Sequence, residues 1–265
     1  MIDLHNHILW GVDDGSKDIE ESIKMANEAE KDGIKTIAAT PHYMEGSFRE
    51  SSKNILEKIQ KLNRILKEKN IDIEIIEGQE VFLSVDIIKH LDEKELITIN
   101  KSKYLLIEFS MLNIPTNADK MINKLMKKGI RPIIAHPERI EDIIREPSDL
   151  IPFIEMGCLT QINAGSIKGY FGDKVKKTAI ELIERDMVYI IASDAHNAHR
   201  RKPQLSEAYD KIEEIKDKEY VEKLKKTSEK IIKDEDIEFI EPKVTVDKRW
   251  KNSGLSIVKR WLKKQ

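Results

Sequence analysis

Apolar residues are spaced along this chain in two rhythms, short continuous blocks and longer stretches where they recur every three or four positions. Blocks of the first kind suit strands covered on both faces, and stretches of the second suit amphipathic helices. The chain opens with a strand that ends at Leu4 or His5. Residues 16–31 place Ile19, Ile23, Ala26 and Ala29 near helical spacing, with Ser16 as the expected N-cap and Gly33 as the stop. Residues 36–40 read as the second strand, and a helix over about 50–69 carries Ile55, Ile59, Leu62 and Leu66 on one face. Residues 71–81 alternate as a strand, a short helix spans about 85–91, and 104–109 is a nearly continuous apolar strand. The unit then recurs. Residues 117–128 are helical before Gly129, 132–135 form a strand, 148–156 are helical before Gly157, and 159–162 form a strand. Residues 173–185 are helical, 188–192 are the last clear strand, and charged helices are expected over about 204–233.

Seven strand-then-helix units are the pattern of a parallel α/β fold. Their number points to a closed or nearly closed barrel, while an open doubly wound sheet is also compatible with the pattern. No Gly-rich fingerprint, Walker-type loop or internal repeat appears, which weakens a nucleotide-binding version.

The 265 residues suffice for a sizeable core. The expected organisation is one domain over 1–241 and a basic amphipathic C-terminal tail over 242–265. The 46 basic and 48 acidic side chains nearly cancel, so no global charge points to nucleic acid. In the tail, however, eight Lys and Arg face one acid, Asp247, and Leu255, Val258, Trp261 and Leu262 have amphipathic helical spacing. The favoured reading is a helix docked on the barrel, and the sharper one is peripheral contact with an anionic membrane or an acidic partner. No basic-then-apolar leader opens the chain, and no apolar run approaches the ~18 residues of a membrane span, so a cytoplasmic location is expected. The single cysteine, Cys158, has no partner for an internal disulfide, in keeping with a reducing compartment.

Candidate chemistry sits at the strand ends, where α/β barrels carry their active sites. The first strand runs into His5 and His7, whose i, i+2 spacing in extended backbone points both imidazoles to one side. The second leads to His42, the third to Glu80, the fourth to Glu108, the fifth to His136 and Arg139, and the last to Asp194 and His196. The sixth offers only Asn163. Five of seven histidines thus fall on one rim, with His90 and His199 elsewhere. One such histidine would be an ordinary structural residue. Five, among carboxylates at apolar strand ends that need compensating cations, argue for a multinuclear metal site of Mn, Fe or Zn.

Six motifs carry a resemblance: Asp3-Leu4-His5-Asn6-His7, Gly11-Val12-Asp13-Asp14-Gly15, Ala39-Thr40-Pro41-His42, Gly78-Gln79-Glu80, Ala135-His136-Pro137-Glu138-Arg139 and Ser193-Asp194-Ala195-His196-Asn197. Over roughly its first 205 residues the chain resembles the polymerase-and-histidinol-phosphatase (PHP) superfamily. More narrowly, it resembles the bacterial metal-dependent protein tyrosine phosphatases of capsular and exopolysaccharide biosynthesis. The resemblance implies a distorted (β/α)7 barrel and three divalent ions, manganese by preference with iron or zinc as alternatives. It implies that His5, His7 and Asp194 hold the first, that Glu80 bridges to a second held also by Glu108 and His136, and that Asp14, His42 and His196 hold the third. Asp13 and Asp14 also suit ordinary turn chemistry, with Asp13 as the turn residue and Asp14 as the ligand.

Arg139 also suits a surface ion pair with Glu138 or Glu141, but family position implies a phosphate clamp, and alignment on Pro203 selects Arg201 rather than Arg200 as its companion. Four carboxylates against three divalent ions leave the cluster about two units positive, which suits a phosphomonoester dianion. Metals close together would lower the pKa of a shared water for in-line attack on phosphorus. The implied substrate is phosphotyrosine on a membrane-associated tyrosine kinase. The alternatives are a small-molecule phosphatase, such as one acting on histidinol phosphate, and a metal-stabilised binding module without turnover. A cysteine-phosphatase loop is disfavoured because Ala164, not arginine, stands six residues after Cys158, which reads as a small core residue.

Overall fold

A computed structural model describes residues 1–243. The tail expected over 242–265 lies, apart from its first two residues, outside the described residues. Strand β1 (Ile2–Asn6) leads through a turn-rich segment to helix α1 (Ile19–Lys31). Ser16 is not its cap: the Ser16 hydroxyl turns inward to Ser22 Oγ at 2.9 Å, and Asp18 accepts the Glu21 N–H at 2.8 Å. The second strand path divides into β2 (Thr36–Ala39) and β3 (His42–Met44) at Thr40-Pro41, where proline has no N–H for the ladder. A two-residue strand β4 (Phe48–Arg49) folds back antiparallel on β3. Helix α2 (Ser52–Glu68), capped by Ser51, buries the expected stripe Ile55, Ile59, Leu62 and Leu66. The strand expected over 71–81 also divides, into β5 (Glu74–Glu77) and β6 (Glu80–Phe82).

Helix α3 (Ile87–Asp92), strand β7 (Tyr104–Glu108), helix α4 (Ala118–Lys127) and strand β8 (Arg131–Ala135) follow. Helix α5 (Glu141–Arg145) is too short to announce itself by period. The helix expected over 148–156 is a 3-10 turn, Pro147–Leu150, continued by α6 (Ile151–Glu155). Strand β9 (Leu159–Asn163) runs directly into α7 (Ala164–Lys168), another one-turn helix without a sequence period. Helix α8 (Asp173–Glu184), strand β10 (Ile190–Ala192) and helices α9 (Ser206–Ile215) and α10 (Lys218–Ile232) complete the described chain.

Strands β1, β2 and β5 pair in parallel as one sheet, and β10, β9, β8, β7, β6 and β3 as another, with β4 at its edge. The sheets are joined because β2 continues into β3 and β5 into β6. At the other seam the Asp194 N–H donates to His5 O at 2.8 Å and the His7 N–H to Ala195 O at 2.9 Å. Seven strand positions thereby close into a distorted (β/α)7 barrel, not an open sheet. The distortion serves the site, since the breaks at Thr40-Pro41 and Gly78-Gln79 fall immediately before His42 and Glu80. Every residue of β7 and β9 is buried, as strands covered on both faces require. No helix among the described residues is long and apolar enough to cross a membrane.

Candidate metal centre

His5 and His7 leave β1 on the same side, and their Nε2 atoms are 3.2 Å apart. Glu80 Oε2 stands 3.1 Å from His5 Nε2, 3.3 Å from His7 Nε2 and 3.0 Å from His42 Nδ1. Its other oxygen lies 2.9 Å from His136 Nε2. Glu108, at the end of β7, comes within 3.8 Å of His42 Nδ1 and 3.7 Å of His136 Nε2. Asp194 Oδ1 faces His5 Nε2, His7 Nε2 and His196 Nδ1 at 3.5, 3.6 and 3.5 Å. Asp14 Oδ1 is 3.5 Å from both His42 Nε2 and His196 Nε2. The nine residues singled out from the sequence therefore meet in one cluster.

Within that cluster, ligand atoms lying within 4.8 Å of one another form four overlapping groups. They are His7, Asp14, His42 and His196; His5, His7 and Glu80; His5, His136 and Asp194; and His42, Glu80 and Glu108. These groups cut across the division implied by the family resemblance, since His7 also stands with Asp14, and His136 with His5 and Asp194. Buried Glu80 Oε2 makes no hydrogen bond although three imidazole nitrogens surround it. Converging imidazole nitrogens and carboxylates around an oxygen left without a hydrogen bond fit divalent cations, and the absence of thiolate suits hard to borderline ions. His90 and His199 stay apart: His90, on α3, lies 2.9 Å from a Glu95 oxygen, and His199 sits in an exposed turn.

Residues behind the cluster fix its orientation. Asp13 Oδ2 accepts from His7 Nδ1 at 2.6 Å and from the His42 N–H at 3.0 Å, while Oδ1 accepts the Gly15 N–H at 2.9 Å. Gln161 Oε1 accepts from His5 Nδ1 at 2.9 Å. Both imidazoles are thereby held as Nδ1–H tautomers with Nε2 toward the cluster. The turn that brings Asp13 in has no room for a side chain at Gly15, where a Cβ would lie 2.3 Å from His7 O. Asp13 is thus more than a turn residue, and neither it nor Gln161 follows from any spacing rule.

Burial opposes charge on His5 and His7, but the carboxylates outweigh it. Glu80 and Asp194 raise His5, and Asp13 raises His7 well above the ordinary imidazole range. For His42, His136 and His196 burial prevails and lowers the pKa, favouring the neutral ligand form. Burial likewise works against Glu80 and Asp194, yet His5 with His136 holds Glu80 well below the carboxylate range, and His5 with Arg201 lowers Asp194. Burial first, and then the Glu80 charge, pushes Glu108 up to about 8. Cations among these acids would relieve the repulsion from Glu80 that helps to raise Glu108.

Arg139 and Arg201 both reach the second oxygen of Asp194, Oδ2, at 3.0 and 2.7 Å, and Asn163 Nδ2 donates to it at 2.6 Å. Of the adjacent arginines it is Arg201, not Arg200, that turns inward. Asp194 thus divides its oxygens, one toward imidazoles and one toward guanidinium groups. Glu138 does not pair with Arg139; it is buried and accepts from the Asn163 N–H at 3.0 Å and the Ser166 hydroxyl at 2.5 Å. Cys158 is buried far from this chemistry, with burial pushing its thiol up to about 12, which keeps it protonated and inert.

A family described as capsular polysaccharide synthesis, CpsB/CapC, matches residues 1–233 of the chain. Tyrosine-protein phosphatase YwqE of Bacillus subtilis is 35% identical over 249 residues, covering 94% of this chain and 98% of that protein. Tyrosine-protein phosphatase CpsB of Streptococcus pneumoniae is 38% identical over 217 residues, 80% of this chain and 89% of that protein. A chain from the crystal structures of these two proteins, described as unique metal-dependent tyrosine phosphatases, superposes with a TM-score of 0.89 at 34% identity, over 93% of this chain and 100% of that one. Motifs, barrel and relatives agree: the chain belongs to the CpsB/CapC family of capsular polysaccharide synthesis proteins.

Proposed function

We propose that this protein is a metal-dependent phosphatase that hydrolyses phosphotyrosine on a protein of capsular or exopolysaccharide synthesis, its substrate a membrane-associated tyrosine kinase. The divided carboxylate of Asp194 carries the reading, because one oxygen faces three imidazoles and the other takes both arginines. A site with cations on one side and two guanidinium forks on the other suits a phosphomonoester dianion. In this reading His5, His7 and Asp194 would hold one ion, Glu80 with Glu108 and His136 a second, and Asp14, His42 and His196 a third. Overlap among the four ligand groups supports shared ligands. The ions are manganese by preference, with iron or zinc as alternatives. Such ions, when bound, supply positive charge for the phosphoryl oxygens and acidify water for in-line attack on phosphorus.

The chain's own residues do the positioning. Arg139 and Arg201 orient the phosphoryl group, and Asp13 and Gln161 keep His7 and His5 in their ligand tautomers. A phenol, with pKa ~10, departs with less acid assistance than the alcohol of serine. Exposed Val85, Leu112 and Tyr170 lie on loops at the ligand-bearing end of the barrel, which supports a protein over a small metabolite as substrate.

The test compares turnover of a phosphotyrosyl peptide, a phosphoserine peptide and histidinol phosphate, with manganese and with chelator, alongside metal analysis of the purified protein. Preference for the first substrate and loss on chelation are expected. Activity on the first substrate that survives full chelation would end the metal-dependent reading, and preference for histidinol phosphate would favour the small-molecule reading. Metal uptake without turnover of any of the three would favour a binding module.

A further inference from the structure

Phe171 lies half-buried in the turn that follows α7, with its neighbour Tyr170 exposed. The turn is tight: the Tyr170 N–H donates to Gly165 O at 2.9 Å and the Gly172 N–H to Gly169 O at 3.1 Å. On α7 itself, a Cβ at Gly165 would come within 3.2 Å of both Phe171 Cε2 and Tyr170 Cδ2. Gly165 has ordinary helical backbone, where alanine would be favoured. The missing side chain therefore makes space for the rings and does nothing for the helix. On the site side, the guanidinium carbon of Arg139 is 4.4 Å from the Phe171 ring centroid and that of Arg201 is 5.8 Å, both within cation–π reach. Glu138, beside Arg139 in the chain, ties the same segment down by accepting from the Asn163 N–H and the Ser166 hydroxyl.

We infer that Phe171 is a positioning residue for the phosphate clamp, its ring setting the Arg139 and Arg201 guanidinium groups side by side before phosphate arrives. The inference rests on the reading of those arginines as phosphate-binding. Two like charges converging on one carboxylate oxygen repel each other, and long arginine side chains lose rotamer freedom when fixed. A ring within cation–π reach of both guanidinium groups offsets the repulsion and restricts the rotamers in advance, so less is lost on binding.

Four variants of the metal-loaded full chain test this: Phe171→Leu, Phe171→Trp, Gly165→Ala and Arg139→Ala. The readouts are calorimetric binding of inorganic phosphate, thermal melting, and kcat and KM on a phosphotyrosyl peptide. Phe171→Leu keeps apolar bulk without a ring, and is expected to weaken phosphate binding and raise KM roughly five- to thirtyfold, with kcat affected less. Phe171→Trp should restore binding to within about threefold of the parent. Gly165→Ala should melt no lower than the parent, yet bind phosphate about two- to fivefold more weakly as the ring is pushed aside. Parental phosphate affinity in Phe171→Leu, or in Gly165→Ala, would overturn the inference and leave Phe171 as filler. If Arg139→Ala also binds phosphate normally, the clamp reading itself has failed; if it alone loses binding, only the role of Phe171 has.

Discussion

Replacing Asp13 by asparagine removes one charge and one acceptor from behind His7 while keeping the shape of the side chain. Three N–H groups now converge on the carboxylate: His7 Nδ1 at 2.6 Å, the His42 amide at 3.0 Å and the Gly15 amide at 2.9 Å. An amide has one oxygen. If that oxygen stays with His7 and His42, the NH2 group faces the Gly15 N–H and a donor is left unpaired, at a cost of about 1–3 kcal/mol. The opposite flip strands His7 instead and is worse. In either case His7 loses the carboxylate that raises its basicity, and its ring is oriented less firmly. Loss of such a supporting carboxylate typically costs ~10–100-fold in metal affinity, or about 1.4–2.7 kcal/mol. The assay is calorimetric titration of manganese into chelator-stripped parent and Asp13→Asn proteins, paired with turnover of a phosphotyrosyl peptide across the same metal range. Weaker metal binding, with turnover partly recovered at high metal, is expected. A variant that is less stable but binds manganese with parental affinity would reduce Asp13 to a turn residue and refute the reasoning.

Further expectations concern the scaffold. Gly15→Ala drives a Cβ to 2.3 Å from His7 O and 2.5 Å from His7 Cβ, both close to backbone, so melting should fall by the equivalent of about 3 kcal/mol and metal uptake should fail with it. Leu62→Ala empties a fully buried position on α2 and should cost roughly 2–5 kcal/mol in denaturant unfolding while leaving kcat of the folded fraction intact. Asp149 is partly buried, and burial followed by Glu146 and Asp142 raises its pKa from 3.8 to about 6. Because its folded pKa exceeds the unfolded one, the stability it permits is complete below about pH 4 and is lost as pH rises through about 6. Asp149→Asn should therefore melt ~2–4 °C higher at pH 8, corresponding to about 1 kcal/mol after solvent screening, and no higher at pH 4; an equal gain at both pH values would refute the charge argument.

Much of the barrel could be read from apolar blocks, because strands buried on both faces leave continuous runs such as Tyr104–Glu108 and helices leave a stripe such as that of α2. What escaped was short or broken. Helices α5 and α7 span five residues each, too few for a period to register. The break between β5 and β6 falls where the alternation read from residue 71 lapses, over Glu77 to Glu80, and a run taken as one strand passes over that lapse. The meeting of His5, His7, His42, Glu80, Glu108, His136, Asp194 and His196 was legible because a barrel collects its strand ends on one rim. Their grouping was not, since which imidazole faces which carboxylate depends on rotamers. Gln161 and His5 are 156 positions apart with no motif between them, and Phe171 looked like any aromatic residue in a glycine-rich turn.

Backbone strain explains why local preference is a poor guide at this rim. His136, directly after β8, has φ of 31°, and Asp194, two residues after β10, has φ of 51°. Non-glycine residues in the left-handed region cost of order 1–3 kcal/mol each when poorly suited to it. Glycine would relieve that cost at either position. It would also remove His136 from Glu80, where the contact is 2.9 Å, or remove the carboxylate that imidazoles and arginines share. The surrounding structure holds both turns in place: the Arg139 N–H donates to His136 O at 3.0 Å, and the Asp194 N–H closes the barrel seam on His5 O at 2.8 Å. Asp194 therefore joins the two ends of the sheet with its backbone while its side chain joins the histidine and carboxylate cluster to the arginines. Closure of the fold and assembly of the site depend on the same residue, which is why a residue unfavourable to its own backbone is kept there.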